Sequence, residues 1–97
     1  QFYPADPQQL QHDVAELLAA TAPNPTMPKA IIAPHAGYIY SGPIAASAYK
    51  ALESTHPPIE RVVLLGPAHR VGFRGLALSA SDAWQTPLGN VALDHSA

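Results

Sequence analysis

Two predicted strands, residues 30–33 and 61–65, have apolar residues in a continuous rather than an alternating pattern, the second after its first residue, Arg61. Runs of this kind are typical of strands that are covered on both faces, as in a parallel sheet. Residues 75–79 predict a third strand and residues 91–93 a short one, with residues 84–89 as a turn or rim segment. The pattern therefore predicts several strands, of which at least two are buried.

Residues 7–20 predict an amphipathic helix. Its apolar positions follow the i, i+4, i+7, i+8 spacing that forms one stripe; they are Leu10, Val14, Leu17 and Leu18. Asp6 has the place of an N-cap, and Pro7 the first helical position. Residues 21–28 hold three prolines and predict a loop.

A second helix is predicted to begin at Ser41 or Gly42, with Pro43 in its first turn and residues 44–53 as its body. Its alanines make it slim enough to lie close against a sheet. Strand, helix and strand in this order predict a βαβ unit with a right-handed crossover. The expected class is α/β with a mainly parallel sheet, in one incomplete domain over residues 1–97.

Composition narrows the classes of function. The chain has only five Lys plus Arg and a formal net charge of −2, which argues against nucleic acid. Its 12% of charged residues is low, so we expect much of this surface to be covered by further chain or by a partner. There is no cysteine, no apolar stretch of membrane-spanning length and no signal peptide pattern, and the first residue is not Met. We expect a cytoplasmic protein of which these residues are a piece.

His35 and His69 each follow an apolar run and a proline. Ligands of open α/β sheets bind beyond the carboxyl ends of the strands, so the two imidazoles are expected to converge there on a metal ion or a substrate. A site usually needs three or four ligands, so the missing one is Asp82 or a group from outside these residues. Two histidines with an anionic ligand and open positions suit non-haem iron(II). The alternative is that each histidine only forms hydrogen bonds in a turn or core.

The segment between Gly37 and Gly42 carries Tyr38 and Tyr40. Tyr38 is a candidate proton donor near the ion, and Tyr40 is a candidate substrate contact. The alternative is that both rings pack under the loop with their hydroxyl groups satisfied. Ser41 is a candidate for substrate binding or for capping a helix; no nucleophile-elbow motif supports it as a nucleophile.

Arg70 and Arg74 follow His69 and are candidates for holding an anionic group, or else are rim charges. Trp84 is a candidate for lining a substrate cleft, or for packing. The remaining histidines are interpreted as solvated; they are His12, His56 and His95.

Five segments occur in an order that resembles the Memo family, whose microbial members are often called AmmeMemoRadiSam system protein B. They are FYP at 2–4, APHAGY at 33–38, YSGP at 40–43, GPAH at 66–69 and TPLG at 86–89. The resemblance covers nearly all of the chain, and PHAGY with GPxH is its specific part. Ala68 stands where the family commonly has Ser.

The resemblance implies a three-layer α/β/α fold similar to the LigB-type class III extradiol dioxygenases, which use non-haem iron(II). It implies that His35 and His69 are metal ligands and that the other ligands, a histidine and a cysteine, lie in a later part of a chain about three times as long. It also implies a genomic link to a radical-SAM protein.

Three functions remain open at this point. The first is a metal-binding redox protein, dioxygenase-like if it is an enzyme, with Fe(II) expected and Cu or Zn as alternatives. The second is a non-enzymatic module that binds a peptide or a phosphate-bearing partner through Arg70, Arg74 and the helix beginning near Ser41. The third is a zinc-dependent hydrolase. The expected ligand is an unidentified small molecule or peptide, and the isolated residues are expected to be unstable or to self-associate.

Overall fold

A computed structural model describes residues 2–25, 27–53, 55 and 57–97. Within these residues the chain forms two helices and one two-stranded sheet, so it contains both element types of the expected class. The chain divides into two compact units, Gln1–Pro58 with both helices and Ile59–Ala97 with the sheet. Neither helix is long and apolar enough to cross a membrane.

The first helix, α1, spans Pro7–Ala19, close to its predicted bounds. The Asp6 side chain accepts a hydrogen bond from the Gln8 amide at 3.4 Å, which confirms the predicted N-cap. Leu10 is buried within the apolar stripe. At the C-terminal end of α1, the Thr21 hydroxyl donates a hydrogen bond to the Leu17 carbonyl at 2.9 Å. Local sequence therefore accounts for this helix.

The second helix, α2, spans Tyr38–Lys50 and begins earlier than predicted. Its N-cap is Gly37, whose carbonyl accepts from the Tyr40 and Ser41 amides at 2.9 and 3.0 Å. Pro43 therefore lies inside the helix and not in its first turn. The prediction that Ser41 or Gly42 caps this helix is wrong, because the first amide is satisfied by a remote group: Tyr38 N donates to the Phe2 carbonyl at 2.9 Å.

The two helices pack together where α2 has small residues. A Cβ placed on Gly42 would lie 3.0 and 3.3 Å from the two Cδ atoms of Leu17 on α1. Ala46 on α2 and Ala51 just after it are also buried. The small residues were expected to let this helix lie close against a sheet. In this unit they let it lie close against α1 instead.

The second unit contains an antiparallel hairpin of β1, Ala83–Thr86, and β2, Gly89–Ala92. Ala83 pairs with Ala92 and Thr86 with Gly89, so only residues 87 and 88 form the turn. The short strand predicted at 91–93 is confirmed in part, while the turn predicted over 84–89 is shorter because residues 84–86 are paired. Val91 faces Trp84 across the ladder.

Residues 30–33, 61–65 and 75–79 form no strand in the described part of the chain, unlike the prediction. A buried parallel strand needs hydrogen-bonded neighbours and cover on both faces. Here Ile32 is 97% exposed and Val63 88% exposed. The apolar runs have no neighbouring strand and no covering layer among the described residues, so the predicted βαβ unit is not formed in this structure. The parallel sheet stays a prediction.

Candidate functional site

The turn that leads into α2 carries His35 and Tyr38, and its backbone is held from two sides. Ser41 Oγ, which is buried, donates to the Ala36 carbonyl at 2.9 Å. On the other side the Tyr38 amide donates to the Phe2 carbonyl. His35 itself is exposed, so this candidate ligand lies at the surface beside a backbone that is held in place.

Tyr38 is the best-packed of the candidate aromatic residues in this turn. Its ring lies 5.9 Å from the ring of Tyr3, between centroids, at a tilt of 40°. Partial burial raises the pKa of the Tyr38 hydroxyl, and the nearby Tyr3 and Tyr49 raise this pKa further. The group therefore keeps its proton at neutral pH and can act as a hydrogen-bond donor, as its predicted role requires.

Tyr40 and Ser41 differ in what they can contact. Tyr40 is 82% exposed, so its ring does not pack under the loop and is open to a substrate. Ser41 is buried inside α2, and its hydroxyl is engaged with the Ala36 carbonyl. The Ser41 amide is bonded to the Gly37 carbonyl, so no helix N-terminus is available there for a phosphate. The helix of the binding-module hypothesis begins three residues earlier, at Tyr38, and phosphate binding at its N-terminus stays a prediction.

The candidates in the second unit are at its surface. His69, Arg70 and Arg74 are exposed in irregular chain, and Trp84 is 44% exposed on β1. Asp82 lies at the base of the hairpin, where its carbonyl accepts from the Leu93 amide at 2.8 Å. His35 and His69 belong to different units, so their predicted convergence stays a prediction.

The predicted solvation of two other histidines is confirmed. The side chain of His12 is 64% exposed, and its Nε2 lies 3.4 Å from Glu16 Oε1 on the next turn of α1. His95 is exposed, and its Nε2 lies 2.7 Å from the Ser81 carbonyl oxygen. His56 lies outside the described residues.

Among the described residues, no three His, Cys, Asp or Glu side chains are grouped so as to hold a metal ion. The predicted site of His35, His69 and Asp82 would draw on both units, and it stays a prediction. The imidazoles of His35 and His69 are donors that iron, copper and zinc all accept. The donor chemistry fits such an ion, and further ligands are needed to complete its coordination.

Phe2 and Tyr3 are the site residues that the sequence pattern missed. They were visible only as part of the FYP segment, because neither periodicity nor spacing relates them to Tyr38. The structure joins them to the first residue of α2 by a backbone hydrogen bond and a ring contact.

The family model described as Memo-like protein matches residues 1–97. A MEMO1 family protein of Methanopyrus kandleri is 43% identical over 97% of this chain and 36% of its own length. One of Aquifex aeolicus is 44% identical over 96% of this chain and 33% of its own. The memo-1 homolog of Caenorhabditis elegans is 37% identical over 97% of this chain and 26% of its own. The chain thus spans about a third or less of these relatives, and it belongs to the Memo-like protein family.

Proposed function

We propose that this chain contributes two ligands, His35 and His69, to a metal site of a dioxygenase-like redox protein. The observation that carries the proposal is the placement of His35, an exposed imidazole beside a turn held by Ser41 and by the Phe2 carbonyl. A metal ligand works best when its neighbours limit its freedom, because ordering it on binding then costs less. Membership of the Memo-like family over all 97 residues supports the same assignment.

His69 is assigned the second position because it follows the other apolar run and is an exposed residue. We assign the remaining ligands to parts of the protein outside these residues, since the relatives are about three times as long. Fe(II) is the metal we propose, and Cu and Zn accept the same donors. When bound, an iron(II) ion with open positions would supply oxygen activation.

The chain's own residues would serve that site in distinct ways. Tyr38 holds its proton at the phenolic oxygen and donates a hydrogen bond, because its raised pKa disfavours the phenolate. Tyr40, Arg70 and Trp84 are exposed and offer a phenol, a cation and an indole to a substrate. Ser41 supports the backbone of the turn. Its hydroxyl is buried and bonded to the Ala36 carbonyl, so this supporting role is favoured over the predicted contact with substrate.

We also propose that residues 30–33 and 61–65 become neighbouring parallel strands in the full-length protein. Their continuous apolar sequence favours burial on both faces, whereas they are largely exposed in the described chain. The carboxyl ends of such strands would place His35 and His69 at one edge of the sheet. The proposal thus connects the exposed runs with the ligand pair.

Metal analysis of the full-length protein tests the site. The wild type should bind about one metal ion per chain, and the His35→Ala, His69→Ala double variant should bind none. The matched control is the His12→Ala, His95→Ala double variant, which removes two exposed histidines and should keep the metal. Full metal occupancy in the first double variant would contradict the proposal.

Oxygen uptake separates the candidate functions. Protein loaded anaerobically with Fe(II) should consume oxygen when it is exposed to air, and zinc-loaded protein should not. Hydrolysis supported by zinc, without oxygen consumption by the iron form, would favour the hydrolase. Binding of a peptide or phosphate-bearing partner that chelators leave unchanged would favour the binding module, which retains the exposed Arg70 and Arg74.

A further inference from the structure

The first described residues of the chain are joined to the start of α2 by two separate contacts. The Phe2 carbonyl accepts the Tyr38 amide at 2.9 Å, and the Tyr3 ring lies against the Tyr38 ring. Both contacts fall on the first residue of the helix. They therefore act where the chain passes from the His35 turn into α2.

We propose that Tyr3 is a positioning residue for the His35–Tyr38 turn, acting through its ring contact with Tyr38. The ring keeps residues 2–4 on α2, so that the Phe2 carbonyl can hold the first helical amide. The orientation of His35, which precedes that amide by three residues, then depends on a side chain far away in sequence. The metal-related part of this inference rests on the proposed function.

Three features make the ring, rather than the backbone bond alone, the decisive contact. Gly37, the N-cap, has no side chain with which to hold the helix start. Phe2 is 66% exposed, so its side chain gives the segment little anchorage. Pro4 restricts Tyr3 to extended backbone, which lets the Phe2 carbonyl and the Tyr3 ring contact α2 together.

Amide hydrogen exchange in the full-length protein tests the contact without any metal. We expect Tyr3→Leu to speed exchange of the Tyr38 amide about two- to tenfold, the range of an aromatic pair, and to shift the His35 ring resonances. Tyr3→Phe keeps a ring and should behave as the wild type. Ile44→Ala shortens an exposed apolar side chain of α2 and should leave the Tyr38 amide and the His35 resonances unchanged.

Metal titration then tests the positioning role. Tyr3→Leu should weaken metal binding about two- to tenfold, and Tyr3→Phe should restore it. A wild type that binds no metal would refute the proposed function, and the exchange and resonance data would still decide the role of Tyr3. Unchanged Tyr38 exchange in Tyr3→Leu overturns the inference, as does a lower melting temperature with unchanged His35 resonances. Equal effects of Leu and Phe also overturn it, because they would assign the effect to the hydroxyl.

Discussion

Ser41 shows how one side chain can support a turn from inside a helix. Its hydroxyl donates to the Ala36 carbonyl at 2.9 Å, beyond the start of α2, and the residue is buried. A serine inside a helix usually bonds a carbonyl of its own helix, and such a bond adds little stability. Here the acceptor belongs to the turn next to His35, so the bond connects the helix with the candidate ligand.

Ser41→Ala should lower the stability of the full-length protein by about 1 kcal/mol, because the Ala36 carbonyl loses a buried partner. Urea unfolding of the variant against the wild type measures the change. Ser47→Ala is the control, since Ser47 also donates to a carbonyl, that of Ile44 at 2.7 Å, but at an exposed position. We expect the control to change stability by less than about 0.5 kcal/mol. Equal effects of the two variants would contradict a supporting role for Ser41.

Tyr38 should make stability depend on pH in the alkaline range. Burial first, and then Tyr3 and Tyr49, raise its pKa in the folded protein above that of the unfolded chain. The folded state therefore binds this proton more tightly. This contribution is fully present below the unfolded pKa of about 10, and it is lost as pH rises through the folded pKa.

The measurement is urea unfolding between neutral and alkaline pH for the wild type and Tyr38→Phe. Tyr38→Phe should lack the part of the stability loss at alkaline pH that Tyr38 causes. Tyr40→Phe, which changes an exposed ring on the same helix, should lose stability as the wild type does. Identical alkaline profiles for the wild type and Tyr38→Phe would refute the prediction.

At the scale of elements, the contact between α1 and α2 depends on Gly42. An added Cβ would meet the flexible end of Leu17 at 3.0 Å, and Leu17 is only half-buried. Gly42→Ala should therefore change stability by less than about 1 kcal/mol, since the gain in helix propensity offsets the crowding. Gly42→Val adds two more carbons and should destabilise by about 1–3 kcal/mol.

Thermal or urea unfolding of the two Gly42 variants measures this difference. Combining Gly42→Val with Leu17→Ala should recover part of the loss, because the shorter side chain makes room for the valine. Additive losses in the double variant would show that the two residues do not share this contact.

Gly89, the one glycine between Ala83 and Ala92, should tolerate replacement poorly. Its φ of +126° is a conformation that residues with a Cβ rarely adopt. Gly89→Ala should destabilise by more than about 1 kcal/mol and weaken the pairing of β1 with β2. Gly72→Ala is the control: like Gly89 it has open space around the added Cβ, but it has no positive φ.

Amide exchange along the hairpin, together with urea unfolding, measures both glycine variants. Faster exchange at the paired residues in Gly89→Ala alone would confirm the prediction. The same exchange in both variants would show that backbone conformation at Gly89 does not limit the hairpin.

The elements differ in how far the sequence predicts them. Asp6, Pro7 and the apolar stripe act within a few residues of each other, so α1 is predictable from local chemistry. The start of α2 depends on the Phe2 carbonyl, a partner that no local pattern reveals. In the hairpin, Thr86 and Gly89 bond each other across a two-residue turn, whereas the sequence alone indicated a turn or rim segment over residues 84–89.

At the scale of the whole chain, little apolar surface is buried. The buried apolar residues among those described are Leu10, Ala46 and Ala51, while the run at 62–65 is largely exposed. Exposed apolar runs of high β-propensity favour association. We expect an isolated polypeptide of these 97 residues to self-associate or to bind hydrophobic dyes.

Sedimentation of that polypeptide at several concentrations measures association, and calorimetry measures cooperativity. A version with Val63→Lys and Leu65→Lys, two exposed positions of the run, should associate less. A monomeric wild-type polypeptide with one cooperative melting transition would contradict the expectation, because it would show that the residues bury enough surface by themselves.

The sequence alone determined α1 with its cap and apolar stripe, and the two proline-preceded histidines, since these follow from residue chemistry over short distances. It also identified the family through five short segments, a result that the match over residues 1–97 confirms. Only the tertiary structure decided where α2 begins, that Ser41 supports the turn, and that Tyr3 meets Tyr38. The physical reason is that hydrogen bonds and ring contacts join groups that are near in space, whatever their separation along the chain.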